Sequence, residues 1–409
     1  MRVVFLNQTF HPDVAATAQH AFDLARHLVA HGHEVHAVAS RSLYGERGAS
    51  LPAEEFVEGV HIHRVGRSWF GKAGLLARIV DFLGFYASSA RRLRRLPDPD
   101  IVVCLTTPPF IARNGLRVAS RTGAKVVLWS MDLYPDLPVA TGAMNAGHPV
   151  ARMGRRLDRT CLREVDLVVA LGRCMKARLV EKGVAPERIE IVGVWSDEQE
   201  IDPGARESNP YRVEWGVGDR MLVMYSGNFG LGHDVATFLD AAEILRDDDR
   251  IRFAFVGGGK RRSEVERRVT ERKLANCVLA PYQPRESLGA LVGAGDVHLI
   301  TLRDGVEGIM VPSKFYGVLA AGRPAVFVGG PGSEIAQVIG EERCGAVVRP
   351  GDATGLVETL RAYADHPGSR DEEGGRARAA LIARHSRTMR CERWRTLLEQ
   401  LVDRSEPLP

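Results

Sequence analysis

No two of the six cysteines stand at Cys-x-x-Cys spacing; Cys104, Cys161, Cys174, Cys277, Cys344 and Cys391 are scattered through 409 residues. That spread argues against a zinc knuckle and against a disulfide framework, and fits reduced, buried thiols in a cytosolic protein. No apolar run approaches the roughly 18 residues that a membrane-spanning helix needs. The opening residues, Met1-Arg2-Val3-Val4-Phe5-Leu6-Asn7, turn polar too early for the core of a signal peptide. Net charge is also small. Lys and Arg number 55 against 51 Asp and Glu, a balance of +4, short of the concentrated basic face of a nucleic-acid binder. No short-period repeat and no low-complexity tract interrupts the chain. These absences suggest a cytoplasmic protein, compatible with anionic small substrates and with contact at the inner face of a membrane.

What is present is an alternation of apolar strands and amphipathic helices. The length suits two or three domains of about 100–200 residues each. Val3 to Leu6 reads as a buried strand, followed by a polar loop from Asn7 to Asp13. A helix from about Ala15 to His31 then carries Ala18, Phe22, Ala25, Leu28 and Val29 on one face, with Gly32 at its end. Further strands are expected at 34–39, 101–105, 125–129, 167–171 and 189–192. The polar stretch from Ser196 to Asp219, with Pro203, Gly204, Pro210 and Gly216, reads as a linker. A second series follows, with strands at 222–225, 253–256, 297–300 and 325–328. The pattern predicts two α/β domains with parallel sheets.

Loops at the ends of such strands are where ligands gather. Ser226-Gly227-Asn228-Phe229-Gly230 and Gly257-Gly258-Gly259-Lys260-Arg261-Arg262 both follow buried strands and precede helices. Glycines there would bring backbone N–H groups close to a phosphate, although tight turns and a solvated basic helix start would give the same pattern. Tyr282 and Gln283, bracketed by Pro281 and Pro284, could stack on a base and read its edge, or form an ordinary surface turn. The richest stretch runs from Glu307 through Gly308, Ile309, Met310, Val311, Pro312 and Ser313 to Lys314. Glu307 offers a carboxylate for sugar hydroxyls, and Gly308 to Val311 offer backbone amides. Pro312 and Ser313 fit the start of a helix. Lys314 would place a cation beside a departing diphosphate.

In the first half, Asp132 follows a strand end. It could orient or deprotonate an acceptor hydroxyl, or cap the turn before Pro135. His11 lies in the first strand-end loop, and Asp13 reads as the cap of the next helix. His27 and His31 stand four apart on a helix, but no nearby carboxylate completes a metal site, so no metal is expected. The apolar stretch from Leu75 to Tyr86, followed by Arg91-Arg92-Leu93-Arg94-Arg95, fits a core helix with a solvated basic end or a helix lying on an anionic bilayer.

Taken together these motifs resemble glycosyltransferase family 4 of the GT-B fold, in particular its members in bacterial exopolysaccharide and O-antigen assembly. The segments that carry the likeness include Phe10-His11-Pro12-Asp13, Trp129 to Pro135, Ile191 to Asp197, Tyr225 to Asn228, Val256 to Gly259, Pro281-Tyr282-Gln283 and Pro312 to Gly317. The resemblance implies two Rossmann-like α/β domains facing across a cleft. An acceptor domain would occupy 1–200, a nucleotide-sugar domain 201–385, and a C-terminal helix over 386–409 would return to the first domain. It further implies a retaining transfer from a nucleotide diphosphate sugar to a glycan or lipid-linked acceptor. The chemistry would rest on Glu307, Lys314, Asp132 and His11. Donor contacts would fall to Gly227, Asn228, Phe229, Gly230, Gly258, Lys260, Arg261, Tyr282, Gln283, Met310, Val311 and Ser313. No cofactor beyond the donor substrate is implied. Two features depart from the family. Gly317 occupies the place of a second glutamate that usually holds the ribose, and Gly230-Leu231-Gly232-His233-Asp234 lacks the lysine often found after the first glycine loop. An epimerase on the same architecture and a non-catalytic partner subunit are the alternatives.

Overall fold

The structure is a computed structural model. It describes residues 1–43, 50–67, 75–201, 206 and 208–403, except for the side chains of 75–78. Pro203 and Gly204 of the expected linker, the side chains of Leu75, Leu76, Ala77 and Arg78, and residues 404–409 lie outside that set. The chain forms two compact units. One contains 1–193 together with the C-terminal residues from Arg390, and the other runs from Val194 to Met389.

The first unit carries an eight-stranded sheet. Its strands are β1 (Arg2–Leu6), β2 (Glu34–Ser40), β3 (Glu54–Val57), β4 (Val60–Val65), β5 (Ile101–Cys104), β6 (Lys125–Ser130), β7 (Leu167–Ala170) and β8 (Ile189–Ile191). Their order is β3-β4-β2-β1-β5-β6-β7-β8, and every pairing is parallel except β3 with β4. The hairpin of β3 and β4 was not expected. Polar residues interleave along it, and in β4 the histidines His61 and His63 break the apolar run that marks the central strands. The central strands are buried on both faces because helices cover both sides of a parallel sheet. The first helix, Ala16–Ala30, buries Ala18, Phe22, Leu24, Ala25 and Leu28. Its N-cap is Ala15, which provides no side-chain cap. Asp13 stands two residues before that position, and its carboxylate accepts from the Ala15 N–H at 2.9 Å at the entry to the helix.

The second unit has six parallel strands: β9 (Met221–Ser226), β10 (Ile251–Val256), β11 (Cys277–Ala280), β12 (Val297–Thr301), β13 (Ala325–Val328) and β14 (Gly345–Val348). The order is β11-β10-β9-β12-β13-β14. Strand alternation divides its core in two. Met221, Val223 and Tyr225 join Ile251, Phe253 and Phe255 under one helical layer. Leu222 and Met224 join Ala254, Val256, Tyr211 and Trp215 under the other.

The C-terminal helix, Arg387–Asp403, buries Trp394 completely, and the Trp394 ring meets Trp129 of β6 with centroids 4.6 Å apart. In the helix Leu75–Leu93, which the sequence reads as a core helix or a bilayer-surface helix, Asp81 and Phe85 are buried while Val80 and Leu83 are more than half exposed. No helix among the described residues is long and apolar enough to cross a membrane.

Candidate active site

In an open parallel sheet the ligand crevice lies at the carboxyl ends of the strands, where the strand order reverses. In the second unit that reversal falls between β9 and β12. The loops after β9, β10, β11 and β12 emerge on this edge and carry the donor-site residues expected from the sequence.

The two glycine loops interlock. Gly227 (φ 129°), Gly257 (φ 123°) and Gly259 (φ 126°) adopt backbone conformations that side chains rarely reach. A Cβ on Gly257 would fall 2.1 Å from the Gly227 carbonyl oxygen, and one on Gly259 would fall 2.2 Å from Asn228 Oδ1. The loops are also hydrogen-bonded. Gly227 N–H donates to Val256, Phe229 N–H to Gly258 at 2.7 Å, and Gly257 N–H to Ala280. These three amides are engaged within the protein and are not open to a phosphate. The Phe229 side chain is fully buried against Tyr225, with ring centroids 4.8 Å apart, so its ring packs in the core beneath the loop.

Arg261 is likewise committed elsewhere. Its Nε and Nη2 hold both oxygens of Glu264 at 2.7 and 2.8 Å, and Nη1 reaches the His233 carbonyl. Such a bidentate pair fixes the helix start and leaves less of the cation for a ligand. Lys260 is exposed. Tyr282, 59% exposed, lies over Gly258, where an added Cβ would come within 2.9 Å of its ring. Gln283 accepts from the Tyr211 hydroxyl at 3.3 Å and donates to the Pro281 carbonyl at 3.0 Å, so both ends of its amide are engaged within the protein.

The lysine is the distinctive group. Lys314 opens the helix Lys314–Ala320, and its ammonium is buried. Nζ stands 3.7 Å from the centre of the Tyr225 ring, at the end of β9. It also lies beside Gly227, 3.2 Å from where a Cβ would be. Among the described residues it has no hydrogen-bond partner. Burial lowers its pKa from 10.5 to about 7, because a desolvated ammonium loses water and only a ring quadrupole replaces it. Ser313 is the N-cap residue before it, as the sequence suggests, and makes no side-chain capping bond. Met310 and Ser313 are half-buried and Val311 is buried.

Glu307 lies against the loop after β13, since a Cβ on Gly330 would fall 2.4 Å from its Oε1. Two participants escaped the sequence reading. Gly330 shapes the seat of Glu307. His233 is buried, shares Nδ1 with the Thr301 carbonyl at 2.7 Å, and is held neutral, its pKa lowered to about 3 first by burial and then by Lys314. The signal for Gly330 was present in Gly329-Gly330-Pro331-Gly332 after a strand. Nothing in the sequence marks His233 as a neighbour of Lys314, because their proximity depends on β9 and β12 being adjacent.

In the first unit a small pocket, of about 20 Å³ and so with room for about one water, lies at the ends of β5 and β6. Thr106, Pro109, Phe110, Ser130, Asp132, Tyr134 and Asp158 are among its walls. Burial raises the Asp132 carboxyl from 3.8 to about 6. Asp158 is pushed in the same direction by burial but is paired with Lys182 at 2.7 Å. His11 does not line this pocket. Its ring stacks on Phe22 with centroids 4.3 Å apart, its carbonyl accepts from Arg64, and burial lowers its pKa.

Two parallel α/β units, each with its ligand-suited loops on the carboxyl edge, define the GT-B class. Residues 16–195 match the "Glycosyl transferase 4-like domain" and residues 220–366 match "Glycosyl transferases group 1". A curated relative, named as colanic acid biosynthesis glycosyl transferase WcaI of Escherichia coli (strain K12), is 26% identical over 83% of this chain and 86% of its own length. Among solved structures, a sucrose-phosphate synthase of Thermosynechococcus elongatus superposes with a TM-score of 0.79 at 14% identity, covering 98% of this chain and 99% of that one. Anabaena Alr3699/HepE in complex with UDP-glucose gives 0.73 at 12% identity, covering 98% and 100%. The chain belongs to the GT-B glycosyltransferases.

Proposed function

We propose that this glycosyltransferase moves a sugar from a nucleoside diphosphate sugar, with retention of configuration, to a glycan or lipid-linked acceptor in cell-surface polysaccharide synthesis. The observation that carries the donor half of this reading is the buried, partnerless ammonium of Lys314 at the reversal of a parallel sheet. A group in that state gains most from an anion, since a diphosphate would return both a counter-charge and the hydrogen bonds lost on burial. The complex of the Anabaena protein with UDP-glucose supports a nucleotide sugar, and the name of the Escherichia coli relative supports polysaccharide as the product class.

Each residue then has a part. Lys314 stabilises negative charge on the departing diphosphate, which is where charge grows as the glycosidic bond breaks. Glu307, seated by Gly330, accepts hydrogen bonds from the donor sugar. Tyr282 offers an exposed ring for stacking. Asp132, with a carboxyl pKa near 6, is ionised at neutral pH and basic enough to take a hydrogen bond or proton from an acceptor hydroxyl. The exposed Val80 and Leu83, on the helix that ends in Arg91 and Arg92, would suit contact with an anionic membrane.

A panel of UDP-, GDP- and dTDP-sugars incubated with the protein and lipid-linked glycan acceptors tests the proposal, with NMR of the anomeric proton in the product. Transfer with the donor's configuration kept is expected. Inverted product would refute retention, and epimerised donor without transfer would refute the transferase reading.

A further inference from the structure

The first helix ends in a histidine pair at i and i+4, His27 and His31, whose ring centroids are 4.3 Å apart. That spacing places two imidazoles on one helix face, as in helical metal sites. The local sequence contains no third ligand. The fold supplies one from 365 residues away: Glu392 of the C-terminal helix, whose Oε2 stands 3.2 Å from His27 Nε2. One ligand atom from each of the three side chains lies within 4.8 Å of the other two.

Their surroundings suit coordination. His31 Nδ1 lies 2.8 Å from the His27 carbonyl, which only an N–H can satisfy, so the proton sits on Nδ1 and the Nε2 lone pair is left outward. An imidazole held through its other nitrogen by a carbonyl is the common arrangement around protein-bound zinc. Glu392 is oriented by Arg395, and the charge of Arg395 is met in turn by Glu399 through two bonds of 2.8 Å. Deprotonated His Nε2 becomes a ligand once its proton shifts to Nδ1.

The geometry points to a divalent transition-metal site formed by His27, His31 and Glu392, tying the first helix to the C-terminal helix within one unit. Two imidazoles and one carboxylate select a borderline ion such as Zn²⁺ or Co²⁺ over Mg²⁺ or Ca²⁺, which prefer all-oxygen ligands. Three protein ligands leave a fourth position for water. The role is a clasp. It lies apart from Lys314 and Asp132 in sequence and in its elements, and does not depend on the donor reading.

Tag-free full-length protein, stripped with chelator, would be titrated with ZnCl₂, CoCl₂ and MgCl₂. Binding of Zn²⁺ and Co²⁺ near one ion per chain is expected, with visible Co²⁺ absorption bands and a Tm raised by several degrees; Mg²⁺ should do neither. His31 is exposed, so His31→Ala should keep its far-UV circular dichroism and lose the Co²⁺ bands and the Tm shift. Glu392→Gln should weaken Zn²⁺ binding at least about tenfold. The cluster of His36, His61 and His63 on β2 and β4 is the internal control. Absence of stoichiometric Zn²⁺ uptake, uptake unchanged in His31→Ala, or uptake lost in His61→Ala in place of His31→Ala would each overturn the site.

Discussion

The carboxyl edge of the first sheet holds a buried carboxyl and that of the second a buried ammonium, and burial moves their pKa values in opposite directions. In the first unit it is Asp132, raised to about 6; in the second it is Lys314, lowered to about 7. Burial acts on both by the same route, disfavouring the charged form. The consequences differ because the chemistry differs. A carboxylate made more basic becomes a better acceptor of protons. An ammonium with no partner becomes a site that an anion completes. On the proposed reading, the two units would take complementary tasks, an acceptor-side base at Asp132 and a donor-side anion site at Lys314.

The comparison breaks first at Lys314. Lys314→Met should lower transfer by about 10²–10³-fold, the usual loss for removing a principal donor to a developing anion. It should also change the pH dependence of stability. The folded pKa of Lys314 lies below its unfolded value, so between about 7 and 10.5 the unfolded chain holds the extra proton. Wild-type stability from this group rises with pH across that window, and the destabilisation is complete below pH 7. Thermal melts from pH 6 to pH 10 should show this rise flattened in Lys314→Met, with the variant more stable than wild type at pH 6.

Asp132→Asn comes next, with an expected loss of about 10²-fold, in the range for general-base groups. The acid limb of the wild-type pH–rate profile should fall near pH 6 and vanish in the variant, while nucleotide binding measured by calorimetry stays unchanged. The linkage sign is opposite to that of Lys314. A carboxyl whose folded pKa is raised contributes stability below about 3.8 that is lost as pH rises through about 6. Asp132→Asn should therefore gain stability at pH 8 relative to wild type.

Smaller effects sharpen the account of the donor loops. Gly330→Ala should reduce transfer by roughly tenfold through displacement of Glu307, with most of the change in the donor KM. Because the Gly330 Cβ would meet Oε1 directly, Glu307→Ala should remove the added effect of Gly330→Ala in a double-mutant cycle. Gln283→Ala should alter transfer by no more than about twofold, since its amide is already engaged by Tyr211 and Pro281.

Most of the fold is legible in the sequence because central parallel strands are continuous apolar runs, and Val3 to Leu6 or Val326 to Val328 can be buried only between helical layers. The edge strands are less so. β4 carries His61 and His63, β11 reads as the approach to a turn, and β14 is only partly buried, so their identity comes from pairing with β2, β10 and β13. At the site, Glu307 and Lys314 are visible through their neighbours in sequence. The occupation of the Phe229 and Gly257 amides, the bond from Arg261 to the His233 carbonyl, and the approach of His233 and Gly330 are not, because each is a contact between loops that only strand order brings together. The same reason hides Glu392 from His27.

The most direct measurement is proton uptake on nucleotide binding, obtained by titrating UDP and GDP calorimetrically at pH 8 in two buffers of different ionisation enthalpy. If Lys314 receives the diphosphate, binding restores its charge, and uptake should approach about one proton per nucleotide at pH 8, fall towards zero by pH 6, and be absent in Lys314→Met. Nucleotide binding with no proton uptake at pH 8, and of equal affinity in Lys314→Met, would contradict it.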